Sequence, residues 1–337
     1  MIRLHVPGLY PGILSSGDTR AGDGWILDDG KRFMVVDGYC GKAADRFIEV
    51  LKERKIKTPY LFISHPHWDH YDGIRKIIRN SYFKPRKLFV PDPSSYEDVS
   101  NEVKGNKQAL RDIIAEAKTK GIPVSYLRNE QNVTLGEIKF TVYQDTKCKY
   151  DGNSEGYVND RSLAFWFPEQ SYLSTGDAGM WCVDQYGLKP KWIKCGHHGN
   201  NIGTNDVKPS IMAPRLKRSG CIFYWDNDYS TKLTDFLMTG REDAINAKMT
   251  ILDIHGDINA IWFSKRCVIY KHGKIYRYSC SFVGKSTLVK PTLEDVKAVL
   301  KGIAGDDDAR VTYLLNRGQN PGLVQKEVNE LYKLIKG

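Results

Sequence analysis

The chain has 337 residues, 41% of them hydrophobic, 11% aromatic and 27% charged, with a formal net charge of +10. This is globular composition with room for one large domain and a small one, and it excludes a disordered, collagenous or disulfide-scaffold chain. No apolar run approaches a membrane span and MIRLHVPGLYPGIL carries no secretory pattern. The seven cysteines are dispersed without a C-x-x-C pair, so they read as free thiols in a reducing cytosol.

In chain order, RFMVVDG (32–38) is an apolar run stopped by Asp-Gly and predicts a buried strand. KAADRFIEVLKERKI (42–56) puts Ala44, Phe47, Ile48 and Leu51 on one helical face. PYLFISH (59–65) predicts a second strand, GIRKIIRN (73–80) a helix and RKLFVP (86–91) a third strand, with a long polar helix near 97–120. From there strands dominate: EIKFTVY (137–143), SLAFWF (162–167), SYLST (171–175), KWIKC (191–195), CIFYW (221–225) and AIWFSK (260–265). VGKSTLVKP (283–291) reads as a linker ending in proline, and a helical tail follows it.

FISHPHWDHYDG (62–73) gathers three of the chain's 8 histidines beside an aspartate. It follows a strand, so a strand-to-helix loop can aim several short side chains at one point. Imidazole and carboxylate suit a borderline divalent ion such as zinc. His65 and His67, two residues apart, share one side of an extended turn; Asp69 and His70 can serve a second ion. A single histidine would read as a surface residue, and His5, His255 and His272 are read as structural, surface or pocket-lining.

The H-x-H-x-D-H run resembles the metal motif of the metallo-β-lactamase fold hydrolases. The resemblance continues in order: VVDG places Asp37 as a brace for the metal loop, YLSTGDAG places Asp177 as the bridging carboxylate, and KWIKCGHHG places His197 and His198 at the last ligand position. GDTRAGDGWIL, NDRSLAFWF, STGD and IKCGHHG are most similar to the subgroup of the ComEC competence-protein hydrolase domain and the pneumococcal phosphorylcholine esterase. The resemblance covers roughly residues 18–200. It implies an α/β fold, an αββα sandwich, over residues 1–285, and a site for two divalent ions, zinc in the first instance with manganese as the alternative.

The family supplies a histidine just before the SLAFWF strand, and GYVNDRS has none. If SLAFWF and SYLST form a hairpin with residue 167 opposite 171, residue 160 or 161 faces Asp177 across the ladder. Asp160 then completes the site as an oxygen ligand or merely caps a turn, with Asn159 and Asp145 as weaker candidates. The implied ligand set is His65, His67 and Asp160 on one ion, Asp69, His70 and His198 on the other, and Asp177 bridging. Two ions about 3.5–4 Å apart lower the pKa of a shared water to near 7 and stabilise both oxygens of a phosphoryl transition state. Asp69 and His197 are the catalytic candidates, His197 as the group touching substrate or protonating the leaving group; the roles of His197 and His198 are interchangeable at this stage.

The fold hosts β-lactam, thioester, lactone and phosphodiester hydrolysis, so it does not choose the bond. Lys189, Lys191, Lys194, Lys208, Arg215, Lys217 and Arg218 flank the tandem histidines, and a basic rim of this kind favours an anionic, phosphate-bearing substrate. Trp68, Trp181, Trp192, Trp225 and Tyr229 are candidates for an aromatic wall or for core positions. Residues 292–337 resemble the small cell-wall-binding repeat of phage endolysins through Gly302, Gly305, Arg310, Leu314, Gly318, Val324, Gln325, Val328 and Asn329, which implies a three-helix wall-binding domain after a 286–291 linker. Arg310 and Gln325 are the wall-contacting candidates. The tail's charges balance, so the whole +10 lies on residues 1–291. The expectation is a wall-directed dinuclear phosphodiesterase acting on a polymer such as teichoic acid, made in the cytoplasm and released through a holin. The alternatives are a nuclease or nucleotide phosphodiesterase, which makes nucleic acid a further partner, and a non-enzymatic wall-binding module with a degenerate metal site.

Overall fold

The structure is a computed structural model that describes residues 2–6, 22–179, 181–190, 192–194, 196–199, 222–224, 250–252, 258–263, 266–271, 274–278 and 328. The backbone divides into two units, Met1–Trp262 and Phe263–Gly337. In the second, strands β15 (Arg266–Lys271) and β16 (Lys274–Tyr278) form an antiparallel hairpin. The expected boundary at 285, the linker and the wall-binding tail with Arg310 and Gln325 lie outside the described residues.

The first unit holds two sheets. One runs β14 (Ile258–Phe263), β1 (Ile2–Val6), β2 (Gly24–Asp28), β3 (Phe33–Asp37), β4 (Tyr60–Phe62), β5 (Lys87–Pro91), β6 (Val124–Leu127), antiparallel up to β3 and parallel beyond it. The other runs β13 (Thr250–Leu252), β12 (Ile222–Tyr224), β11 (Trp192–Lys194), β10 (Tyr172–Ser174), β9 (Ala164–Phe167), β8 (Ile138–Tyr143), β7 (Gln131–Leu135).

Alternation along each strand sorts the side chains into layers. Ile26, Val35, Leu61, Ile63, Leu88 and Val90 meet helices α1 (Gly41–Glu53), α2 (Trp68–Arg79) and α3 (Asn101–Thr119) through Phe47, Ile74, Ile77, Leu110 and Ile113. Their neighbours of opposite parity face the second sheet. Trp25 lies edge-on to Phe165, Phe167 and Tyr172, and Phe62 stacks on Phe89 and meets Phe140 and Phe165. Such aromatic pairs add roughly 0.5–1.5 kcal/mol each to their area burial. On the far side of the second sheet Tyr143 stacks on Tyr186 of the short helix α5 (Trp181–Tyr186). The expected α/β, αββα sandwich is therefore present.

Caps set where helices begin. Ser100 Oγ accepts from Val103 N at the start of α3, and Asn153 Oδ1 accepts from Gly156 N at the start of α4 (Ser154–Asp160). Helix α2 begins at Trp68, five residues earlier than the periodicity predicts, so Asp69 and His70 lie on its first turn rather than in the loop. Gly73 fits α2 against the chain after β3. A Cβ there would sit 1.8 Å from the Gly38 carbonyl oxygen, and Gly73 N donates to Tyr39 O at 3.1 Å.

The hairpin register differs from the one assumed for Asp160. Phe167 pairs with Tyr172, not residue 171, because the turn runs Pro168–Ser171, with Ser171 at φ 51°. The ladder extended to Asp177 meets Ser162, whose Oγ accepts from Asp177 N at 3.4 Å. Asp160 is the last residue of α4, two positions before the Ser162 that faces Asp177. No helix among the described residues is long and apolar enough to cross a membrane.

Candidate metal centre

The chemistry-bearing side chains collect where β3, β4, β10 and β11 end and where β2 begins. This is the edge of an open sheet at which loops can converge on a ligand. Asp37 terminates β3 at φ 52°, a left-handed backbone that aspartate tolerates better than most residues. Its Oδ1 accepts from Ser64 N at 2.7 Å, and its Oδ2 accepts from Ser64 Oγ at 2.7 Å and from His70 Nδ1 at 2.9 Å. One buried carboxylate thus holds the end of β4 and the start of α2 together, as the resemblance implies for a brace.

These bonds assign the imidazole protons. Asp37 accepts, so His70 carries a hydrogen on Nδ1 and turns Nε2, the nitrogen left for a metal once any second proton is lost, to Asp177 Oδ2, 3.1 Å away. Ser64 Oγ spends its hydrogen on Asp37 and therefore accepts from His65 Nδ1 at 3.0 Å. His65 Nε2 is left facing His67 Nδ1 at 3.0 Å and Asp177 Oδ2 at 3.7 Å. A carboxylate that fixes the distal nitrogen of a histidine and leaves the other as a donor is the usual support of a metal ligand.

Burial holds His65 well below the ordinary imidazole range, with His70 adding to the effect. Burial also lowers His67, against the pull of Asp69 and Asp177. Burial disfavours charge on His70 as well, but Asp177 and Asp37 on either side outweigh it and raise its pKa well above the ordinary value. Asp37 is pushed up by burial, opposed by His70 and Ser64.

Two groups of donor atoms result, His65–His67–Asp177 and Asp23–His70–Asp177, each lying within 4.8 Å. Tetrahedral zinc with ligands at 2.0–2.1 Å separates its donors by about 3.4 Å, and the separations here, 3.0, 3.1 and 3.7 Å, straddle that value. The imidazole–carboxylate chemistry, the assigned tautomers and the shared Asp177 fit two divalent ions. Asp23 Oδ1 supports the fit: it is buried with no hydrogen-bond partner among the described residues.

The structure brings together His65, His67, His70 and Asp177 of the predicted ligands. Asp69, predicted as ligand and catalytic residue, falls outside both donor groups; it is half-buried on the first turn of α2, and its backbone carbonyl accepts from Asp23 N at 3.1 Å. Asp23, absent from the predicted ligands, shares a donor group with His70 and Asp177. It was missed because its role depends on the antiparallel β2–β3 pairing, Gly24 opposite Asp37, which no local pattern announces.

In the region of the missing histidine, Asn159 is buried at the site with Nδ2 3.4 Å from His197 Nε2, whereas Asp160 is only partly buried. Asp145 caps a turn, accepting from Lys147 N and Cys148 N. His197 is buried in the 3-10 turn Gly196–Gly199, outside both donor groups, with Glu155 Oε1 3.9 Å away. His198 stands in the same turn, but its side chain lies outside the described structure.

The basic rim is corrected at one position. Lys194 is wholly buried on β11 and forms an ion pair with Asp23, so it does not line a surface. Arg215, Lys217, Lys191, Lys208, Arg218, His255, His272 and Trp225 lie outside the described residues. Trp68 is 45% exposed immediately after His67, and His5 makes a buried 2.8 Å bond to Asp28, a structural role. Cys40, Cys148 and Cys182 are free thiols.

No family model matches the chain. It is similar to the cytoplasmic hydroxyacylglutathione hydrolase of Arabidopsis thaliana, with 25% identity over 197 residues, covering 51% of this chain and 64% of that one. The chain thus spans less than two thirds of that relative's length. Among solved structures, the metallo-β-lactamase fold protein YhfI from Bacillus subtilis aligns at 14% identity over 77% of this chain and 98% of its own, with a TM-score of 0.49. A diphosphatase from the PhnP family aligns at 13% identity over 78% of this chain and 98% of its own, with a TM-score of 0.45.

Proposed function

We propose that this chain is a metal-dependent hydrolase whose site takes two divalent ions, and that its substrate is a phosphodiester. The observation that carries the reading is the sharing of Asp177 between two donor groups whose members are buried except for the half-buried His67. When bound, such a pair of ions supplies an activated water and charge stabilisation for the attacked centre. The chain's own residues do the rest. Asp37 fixes His70 with Nε2 toward the site, and Ser64 does the same for His65. His197, outside both donor groups, is the residue assigned to protonate the leaving oxygen. A net charge of +10 favours an anionic substrate. The tail's resemblance to endolysin repeats supports a wall polymer such as teichoic acid as the source of that phosphodiester.

A second reading, thioester hydrolysis, is favoured by the similarity to a hydroxyacylglutathione hydrolase. One experiment separates them: purified chain loaded with zinc or manganese is assayed on bis-p-nitrophenyl phosphate, teichoic acid, DNA and a hydroxyacylglutathione. Phosphodiester turnover abolished by Asp177→Ala supports the first reading. Turnover of the thioester alone replaces it with the second, and activity unaffected by chelator or by Asp177→Ala refutes both.

A further inference from the structure

Asp23 and Lys194 are an expensive pair to bury, since both charges leave water and both side chains are at most 1% exposed. A structural brace could have been built from apolar residues. What distinguishes this pair is its position, because Asp23 is also a member of the Asp23–His70–Asp177 donor group. The backbone of Asp23 is tied to both sides of the centre. Its N–H donates to Asp69 O at 3.1 Å, at the head of α2, and its carbonyl accepts from Tyr39 N at 2.7 Å, just past Asp37. Lys194 reaches it from β11, opposite Ser174 of the strand that leads to Asp177. Asp23, the carboxylate that Lys194 holds, belongs to the second donor group and not to the first, His65–His67–Asp177.

We propose that Lys194 is a built-in competitor for the second ion: it occupies Asp23 with a positive charge, so that ions load in order, first at His65–His67–Asp177 and then, more weakly, at Asp23–His70–Asp177. The inference rests on the two-ion reading and deepens it. A dication drawn to Asp23 meets a fixed ammonium in a buried setting, where like charges repel far more strongly than in water. Lys194 is thus a positioning residue that sets the occupancy of the second half-site.

The test uses the full chain stripped of metal and titrated with Zn²⁺ alone against a chromophoric chelator, with thermal unfolding read in parallel. Wild type should bind in two steps, the second at least about tenfold weaker than the first. Lys194→Met should leave the first step in place and tighten the second by about tenfold or more, because the competing charge is gone. It should also melt lower than wild type without metal, with Asp23 unpaired, and gain more than wild type from Zn²⁺. Asp23→Asn should keep the first step and lose the second. A second step in Lys194→Met that is unchanged or weaker, with the first intact, overturns the inference, as does an Asp23→Asn chain that keeps both steps. Absence of even the first step in wild type overturns the two-ion reading instead. Should metal-free Lys194→Met fail to fold, the double variant Asp23→Asn with Lys194→Met, which buries neither charge, must still lack the second step; retention of it refutes the assignment.

Discussion

Asp37→Asn is the sharpest perturbation of the centre, because it keeps the shape of the side chain and changes only charge and one hydrogen-bonding atom. The carboxylate accepts three bonds, from Ser64 N, Ser64 Oγ and His70 Nδ1, at 2.7, 2.7 and 2.9 Å. An amide has one acceptor oxygen. If that oxygen stays on Ser64 N, the new NH₂ faces Ser64 Oγ and His70 Nδ1, both of which now donate. Relief requires His70 to give up its Nδ1 hydrogen and keep one on Nε2, the atom that should be a metal donor, and Ser64 to turn its hydroxyl, which disturbs His65. Bonds to a charged acceptor contribute roughly 1.5–3 kcal/mol each, and part of two is lost, so the metal-free protein should lose about 2–4 kcal/mol. Metal affinity should fall about 10–100-fold, the usual cost of removing the group behind a metal-bound histidine. Urea unfolding at constant slope measures the first quantity, and Zn²⁺ titration of the stripped protein the second. A variant within about 0.5 kcal/mol of wild type that binds Zn²⁺ equally well would refute the assigned tautomers and the bracing role of Asp37.

Asp177→Ala should abolish both binding steps, since Asp177 belongs to both donor groups; elemental analysis that still finds two ions per chain would remove its bridging role. Gly73→Ala should destabilise the chain by about 3 kcal/mol, the upper end of the usual cost of overpacking, because its Cβ would stand 1.8 Å from the Gly38 carbonyl oxygen and push α2 away from Asp37; a stable Gly73→Ala chain would show that this contact relaxes freely. Ion binding near pH 7 should release about one proton, from His70, whose pKa is raised, and none from His65 or His67, whose values are lowered; calorimetry in buffers of different ionisation heat counts them, and release of three would refute the scheme. In the metal-free protein the raised His70 contributes stability that is full below the unfolded value of 6.5 and fades as pH rises through its folded value. His65 and His67 act oppositely, costing stability as pH falls through 6.5, because the unfolded imidazoles take up protons that the folded ones refuse.

What the sequence discloses here follows how local each signal is. The FMVVD, YLF and KLFVP strands and the helix behind Phe47 and Leu51 are legible because a buried parallel strand and an amphipathic helix write their burial into a few consecutive residues. The seven-residue SEGYVND helix is too short to show a period, and its capping Asn153 reads equally well as a turn. At the site, His65, His67 and His70 are legible together because one loop and one helix turn carry them. Asp23 and Lys194 are not, and for opposite reasons. Asp23 sits among glycines in a stretch without period, and it becomes a donor only when β2 returns antiparallel to β3. Lys194 is misread by the rule that lysines face water, a rule that fails where a carboxylate waits inside. That partner is 171 residues away in the chain and precedes a strand of the other sheet, so the two meet only when the sheets pack face to face. The buried pair is therefore legible only in three dimensions, while its cost of burial is the physical reason to ask what it does for the centre beside it.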